Sequence, residues 1–353
     1  MRIAMVSTPF VAVPPRDYGG TELVIHELTT ELANRGHDIT LFATGDSDSD
    51  VRLRYLYPSA QWPPDPLLEV DHVTWAFREI ARGGYDIAHV HSAPALAVAR
   101  LVPELPMVYT LHHDRVPSLS AFYRRFPHVQ FVAISHDQRR REEPLPRCEV
   151  VHHGLDVSRY GCAPDVGDYV CFIGRYSEVK GPHTAIDAAR AAGVPIRLAG
   201  PVHPPDEPFV ARELSHRLTL DGVSDMGPAG PEAKRALLAG ARALLAPITW
   251  NEPFGLVLIE AMLSGCPPVA FRRGAAPELI EEGVTGFVVD TEAEMADRVR
   301  PGGAVDRFDR LRCRERAIEL FGRERMVRDY ERIYEAVAED ADDSGPAPIE
   351  VAV

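Results

Sequence analysis

Short apolar runs alternate with amphipathic stretches from the second residue onward, and this alternation constrains the fold more than any other feature. RIAMVST (2–8) leads through a proline-containing loop into GGTELVIHELTTELANRG (19–36), where Leu23, Leu28, Leu32 and Ala33 recur at roughly helical spacing and Gly36 ends the helix. DITLFAT (38–44) completes a βαβ opening, which implies a parallel sheet. Further strands are predicted at 86–92, 107–113, 131–135 and 148–154. GCAPDVGD (161–168) then interrupts the pattern, and YVCFIGR (169–175) begins a second cycle with strands at 196–200, 241–248, 267–271 and 286–289. Beyond residue 305 the chain turns helical and charged, through RERAIELF and RMVRDYERIYEAVAED.

A chain of 353 residues is longer than one hydrophobic core usually supports. The expected architecture is α/β, with two Rossmann-like, doubly wound parallel-sheet domains facing a central cleft. The expected boundaries are 1–164, 165–320, a C-terminal helix over 321–340 that crosses back to the first domain, and a disordered tail over 341–353. Ligands of such folds bind at the carboxyl ends of the strands, so chemistry is to be sought in strand-end loops.

The formal net charge of −14 argues against a large nucleic-acid footprint, while still allowing a local phosphate site. Five cysteines, odd in number and without a C-x-x-C pair, fit a reducing cytoplasm. MRIAMVST lacks the order of a signal peptide, and no stretch approaches 18 apolar residues, so no transmembrane helix is expected. Peripheral membrane contact is left open.

Among the strand-end loops, NEPFGLVLIEAM (251–262) carries Glu252 and Glu260 eight positions apart. On one helix they would be displaced by about 12 Å along the axis and roughly 80° around it. On one strand they would lie about 26 Å apart. Neither arrangement matches the roughly 5 to 9.5 Å of a hydrolytic carboxylate pair. A strand, a loop and a helix opening at Gly255-Leu256 instead present free backbone N–H groups and a positive dipole end, which suits phosphate. The two carboxylates then serve different parts of one extended ligand, as in a nucleotide diphosphate sugar.

Glu252, Pro253, Phe254, Gly255 and Glu260 resemble the E-P-F-G…E signature of retaining GT-B glycosyltransferases of family GT4. The resemblance implies that Glu252 contacts the donor sugar's hydroxyls, that Gly255 and Leu256 bind phosphate through backbone N–H, and that Glu260 binds the ribose. Phe254 belongs to the same nucleotide-sugar element. Gly174, Arg175, Lys180 and Gly181 in FIGRYSEVKG (172–181) resemble the family's G-R-x4-K-G element, whose cations neutralise the departing diphosphate. YGGTE (18–22) matches the family's glycine loop, which places Gly19 and Gly20 against the donor phosphate and the acceptor. VYTLHHD (108–114) resembles the T-x-H ending, which assigns His112 near the reacting sugar, with His113 as the alternative. AISHDQRR (133–140) and HHGLD (152–156) also resemble family elements, the latter departing by His153 where Asn is common.

Other readings of these residues are weighed beside the family one. His89, His91, His112, His113 and Asp114 are candidates for a zinc-like set, and GDSDSD (45–50) for a metal-binding Asp-x-Asp. A solvated loop is preferred for the latter. The run Gln138-Arg139-Arg140-Arg141 reads as a solvated helix face or as a basic patch for an anionic acceptor or membrane.

The resemblance implies a retaining, metal-independent hexosyltransferase, needing no cofactor, that moves a sugar from a nucleotide diphosphate sugar to a small-molecule, glycan or lipid-linked hydroxyl. His112, Arg175, Lys180 and Glu252 are its expected catalytic residues. UDP is the first expectation for the base, with GDP or ADP as alternatives. The rivals are a GT-B sugar-nucleotide epimerase, which would isomerise the donor alone, and a nucleotide-sugar-binding protein without turnover.

Overall fold

The structure, a computed structural model, describes residues 1–17, 19–163 and 166–344, the last four as backbone alone. The chain forms two compact units, Met1–Gly154 with the segment from Arg323 onward, and Leu155–Gly322.

The first unit holds a seven-stranded sheet of β1 (Arg2–Val6), β2 (Asp38–Ala43), β3 (Arg52–Tyr55), β4 (Ile87–Val90), β5 (Met107–Thr110), β6 (Gln130–Ala133) and β7 (Cys148–Val150). Its order is β3-β2-β1-β4-β5-β6-β7, and every pairing is parallel. Ile3, Ala4, Met5 and Val6 of the interior strand β1 are fully buried. That is why β1 reads as a continuous apolar run: helices cover both faces of a parallel sheet, leaving no solvent face to alternate toward.

The second unit repeats the plan with β8 (Val170–Ile173), β9 (Ile196–Ala199), β10 (Val223–Asp225), β11 (Leu244–Ala246), β12 (Pro268–Phe271) and β13 (Phe287–Val289), ordered β10-β9-β8-β11-β12-β13 and all parallel. Its core packs Val170, Phe172, Ile186, Leu198, Leu245 and Val269 between sheet and helices. Two edge strands, β3 and β10, are absent from the sequence reading. Both pair on one side only and are largely exposed, so neither RLRY nor VSD carries an apolar run.

Two boundaries differ from expectation. The first break falls after Gly154, ten residues before the expected 164, because the intervening chain belongs to the second unit. Leu155 N–H donates to the Phe321 carbonyl at 2.9 Å, and the Arg314 guanidinium donates to the carbonyls of Val157 and Tyr160. Residues 164 and 165, where the boundary was expected, lie outside the described residues. At the other end the returning helix is Arg323–Ser344, so residues 341–344 extend it instead of opening a tail. The rest of the expected tail, 345–353, lies outside the described residues. Arg323 reaches Glu27 at 3.3 Å and Glu31 at 3.5 Å, and Arg35 and His37 both meet Glu331, which fastens this helix to the first unit. No helix among the described residues is long and apolar enough to cross a membrane.

Candidate active site

In the second unit strand order reverses between β8 and β11, which pair through Leu244 and Cys171. Loops leaving the two strands on either side of such a switch point diverge over opposite faces and open a ligand site at the carboxyl ends. The loop after β11 ends at Gly255, whose φ of 93° is left-handed and suits glycine, and which caps the helix Leu256–Leu263. Leu258 N–H, the third of that helix, donates to the Gly255 carbonyl at 2.9 Å, while the two N–H groups before it have no intrahelical acceptor and can meet an anion.

The loop after β8 is tied to the one after β11. Thr249 N–H donates to the Val179 carbonyl at 3.0 Å. At Gly181, φ is 74° and an added Cβ would lie 2.5 Å from the Pro247 carbonyl oxygen, so only glycine permits this approach. The approach brings Lys180 Nζ into an ion pair with Glu252 Oε2, while the same ammonium sits 5.4 Å from the centre of the Trp250 ring. Lys180 and Glu252 thus meet although 72 positions separate them. Arg175 Nε lies 3.1 Å from Asp206 Oδ2 in the loop after β9.

Glu260 is buried further along the helix, where its Oε1 accepts from Tyr160 Oη at 3.3 Å and faces Lys234 Nζ at 3.4 Å. Phe254, within the same element, is only 2% exposed and packs edge-on against Phe321 at 6.4 Å, so its ring anchors the loop from the core. Leu256 is half-buried at the helix start.

The sequence reading missed the residues that hold this constellation in place. Asp206, Tyr160, Lys234 and Trp250 come from four separate segments with no motif to connect them. Gly274 was legible at most as a glycine following a strand. Its backbone runs so close to Glu252 that a Cβ there would lie 2.3 Å from the Glu252 carbonyl oxygen, and Ala275 N–H donates to that oxygen at 3.0 Å.

In the first unit Gly19 precedes the helix Gly20–Asn34 with extended backbone, so its freedom in φ is not what matters. Space is: a Cβ would lie 2.9 Å from both Glu22 Oε2 and Pro15 Cβ. Burial raises the pKa of Glu22, whose Oε1 accepts from Thr8 Oγ1 at 3.1 Å. GDSDSD is a partly exposed loop in which Thr44 Oγ1 donates to Asp46 Oδ1 at 2.6 Å.

His112 follows β5. Its Nε2 lies 2.8 Å from His91 Nδ1, and the His153 ring stacks on it at 5.7 Å. The departure at His153 therefore supplies a flat face for His112. His113 turns into the fold, bonding Tyr123 Oη and the Asp114 carbonyl. Of the basic run, Gln138 is buried, and its side-chain amide donates to the carbonyls of Leu111 and His113, bracketing His112. Arg141 pairs with Asp114 and Asp137. His89 bonds Tyr334 Oη at 2.7 Å and Thr110 Oγ1 at 2.8 Å, which engages both ring nitrogens with protein groups.

Desolvation pushes the pKa of His89 and of His112 down to about 3, and that of His91 and His153 well below the ordinary 6.5. These rings are neutral at physiological pH. In the unfolded chain they titrate near 6.5, so between that value and about 3 the unfolded state binds protons the native state refuses. Their contribution to stability is present above 6.5 and lost as pH falls toward 3. Thermal midpoints should drop on going from about pH 7 to about pH 4, and less steeply in His89→Gln, which keeps polar groups but cannot titrate. Equal slopes for the two proteins would remove His89 from this account.

Known proteins resemble this chain in sequence and in fold. Residues 18–159 match the family model described as Glycosyltransferase Family 4, and residues 163–300 match Glycosyl transferases group 1. A D-inositol 3-phosphate glycosyltransferase of Corynebacterium efficiens is 26% identical, over 82% of this chain and 84% of its own. A phosphatidyl-myo-inositol mannosyltransferase of Mycobacterium tuberculosis is 27% identical over 83% of each. Among solved structures, AviGT4, a glycosyltransferase involved in avilamycin A biosynthesis, superposes with a TM-score of 0.73 at 25% identity over 96% of this chain and 98% of that one. With one family model matching most of the first unit's sheet and the other most of the second's, the chain belongs to the GT4-type glycosyltransferases, enzymes of the GT-B fold.

Proposed function

We propose that the enzyme moves a hexose from a nucleotide diphosphate sugar, UDP being the first candidate base and GDP or ADP the next, to a hydroxyl of a small-molecule, glycan or lipid-linked acceptor. The second unit binds the donor. The observation that carries the reading is the Lys180–Glu252 pair beside the Gly255 helix start. A cation for the diphosphate, a carboxylate for sugar hydroxyls and free backbone N–H groups for phosphate are brought together there. Glu260, with Lys234 and Tyr160, is the ribose-binding end of the same ligand.

In the proposed reaction the acceptor oxygen bonds to the anomeric carbon on the face from which the diphosphate leaves, so configuration is retained. The anomeric C–O bond to phosphate breaks, and the acceptor's hydroxyl proton passes to a phosphate oxygen of the leaving group. No enzymic carboxylate nucleophile is needed. Arg175, Lys180 and the helix start neutralise the growing negative charge, the part a divalent ion plays elsewhere. Five free thiols favour a cytoplasmic setting.

Thermal-shift measurements with UDP-, GDP- and ADP-hexoses test the reading. A ligand at about 100 times its Kd stabilises by about 2.7 kcal/mol, so the cognate donor should raise the midpoint by a few degrees, and transfer should persist in EDTA. No shift with any nucleotide sugar, or full loss of activity on chelation, would overturn the corresponding part.

A further inference from the structure

We infer that Met5 and His91 are positioning residues that fix the tautomer of His112, so that His112 offers a bare Nδ1 to a substrate hydroxyl. The inference rests on the proposed function together with the placement of His112 near the reacting sugar that the family resemblance implies.

The argument begins at the sulfur. Met5, fully buried on β1, places Sδ 3.1 Å from His91 Nε2. A thioether has lone pairs and no proton, so it can only accept. At that separation a bare ring nitrogen would set lone pair against lone pair, whereas an N–H makes a favourable contact. His91 therefore carries its proton on Nε2. Its environment keeps the ring neutral, so Nδ1 is bare and can only accept.

His91 Nδ1 lies 2.8 Å from His112 Nε2, and one proton must occupy that line. Since His91 Nδ1 cannot supply it, His112 Nε2–H does. The neutral His112 ring then has an unprotonated Nδ1. A single sulfur thus orders two imidazoles in series, from Met5 to His91 to His112. The His153 ring stacked on His112 and the Gln138 amide bonded to the carbonyls on either side of it hold the ring's plane and backbone.

The chemistry that follows is specific. A sugar hydroxyl can donate to Nδ1 of His112 and be aligned by it. A ring that resists protonation in this environment is a poor proton acceptor near neutrality, so His112 orients a hydroxyl and does not deprotonate it. That agrees with a proton that ends on the leaving phosphate.

The test is a ¹⁵N-imidazole NMR spectrum of the full chain at neutral pH, with His91 and His112 assigned by single substitution. Both rings should be Nε2–H tautomers. Met5→Leu is close to isosteric and is tolerated in most cores, but it removes the acceptor that fixes the His91 proton on Nε2. The His91 and His112 signals should then shift toward the opposite tautomer, and kcat should fall roughly tenfold, about the worth of one hydrogen bond, with the donor KM unchanged. An Nδ1–H signal for His112 in the unmodified protein overturns the inference whatever the activity. Unchanged tautomers in Met5→Leu overturn the role of the sulfur. Wild-type transfer by His112→Ala would instead show that His112 does not act near the reacting sugar, and the positioning role would fall with it even if both tautomers were as expected.

Discussion

Lys180→Ala and Glu252→Ala are each expected to lower kcat for sugar transfer by about 10²- to 10³-fold or more, the usual effect of removing one preorganised charge at a developing anion. Each partner is about one-sixth exposed, so truncating either one leaves the other half-buried and unpaired beside the Gly255 helix start. The two variants should fail differently. In the proposed function Lys180→Ala loses the cation that meets the diphosphate, and kcat should carry the loss. Glu252→Ala there loses the proposed hydrogen bonds to the sugar, which should show in both kcat and discrimination among donor hexoses. Steady-state kinetics with the donor found by thermal shift will separate the two. Wild-type rates from both variants would exclude this pair from the site.

A second large effect is expected from a methyl group that touches no substrate. Gly274→Ala puts a Cβ 2.3 Å from the Glu252 carbonyl oxygen and 2.4 Å from its backbone nitrogen, at a φ of 53°. The left-handed conformation itself costs an alanine roughly 1–2 kcal/mol, which a domain of this size can bear. The overlap is with backbone on both sides and cannot be relieved by rotating a side chain. The loop must move, the bond from Ala275 N–H to Glu252 O is stretched, and Glu252 leaves its position against Lys180. Displacements of about 1 Å at such positions cost on the order of 100-fold in rate. The variant should therefore be folded by circular dichroism and nearly inactive. Normal activity in a folded Gly274→Ala would mean that the 272–275 loop does not set Glu252.

These expectations mark where sequence was informative. The interior strands were legible because burial on both faces leaves an unbroken apolar run, as in IAMV or VCFI. β3 and β10 were not, because an edge strand with exposed side chains carries no pattern distinguishing it from a loop. The residues with glycine-bounded spacing, Arg175, Lys180, Glu252 and Glu260, could be named from local motifs. Their partners could not. Asp206, Tyr160 and Lys234 are ordinary residues until the fold carries them to the site, and Gln138 looked like part of a solvated basic face until its amide was found under His112. Phe254 was named for its motif, and its core packing has no local sign in the sequence.

The last helix has a consequence for how the molecule is made. Tyr330 and Tyr334 bond Thr110 and His89, and Arg325 donates to the carbonyls of His152 and His153, so the final segment closes the floor beneath the histidines of the first unit. The second unit is one uninterrupted stretch, complete once Gly322 has been synthesised. The first begins earlier yet waits for residues made later. The first unit therefore cannot complete its fold until Arg323–Ser344 has been made, and its histidine cluster depends on residues far later in the chain than its strands.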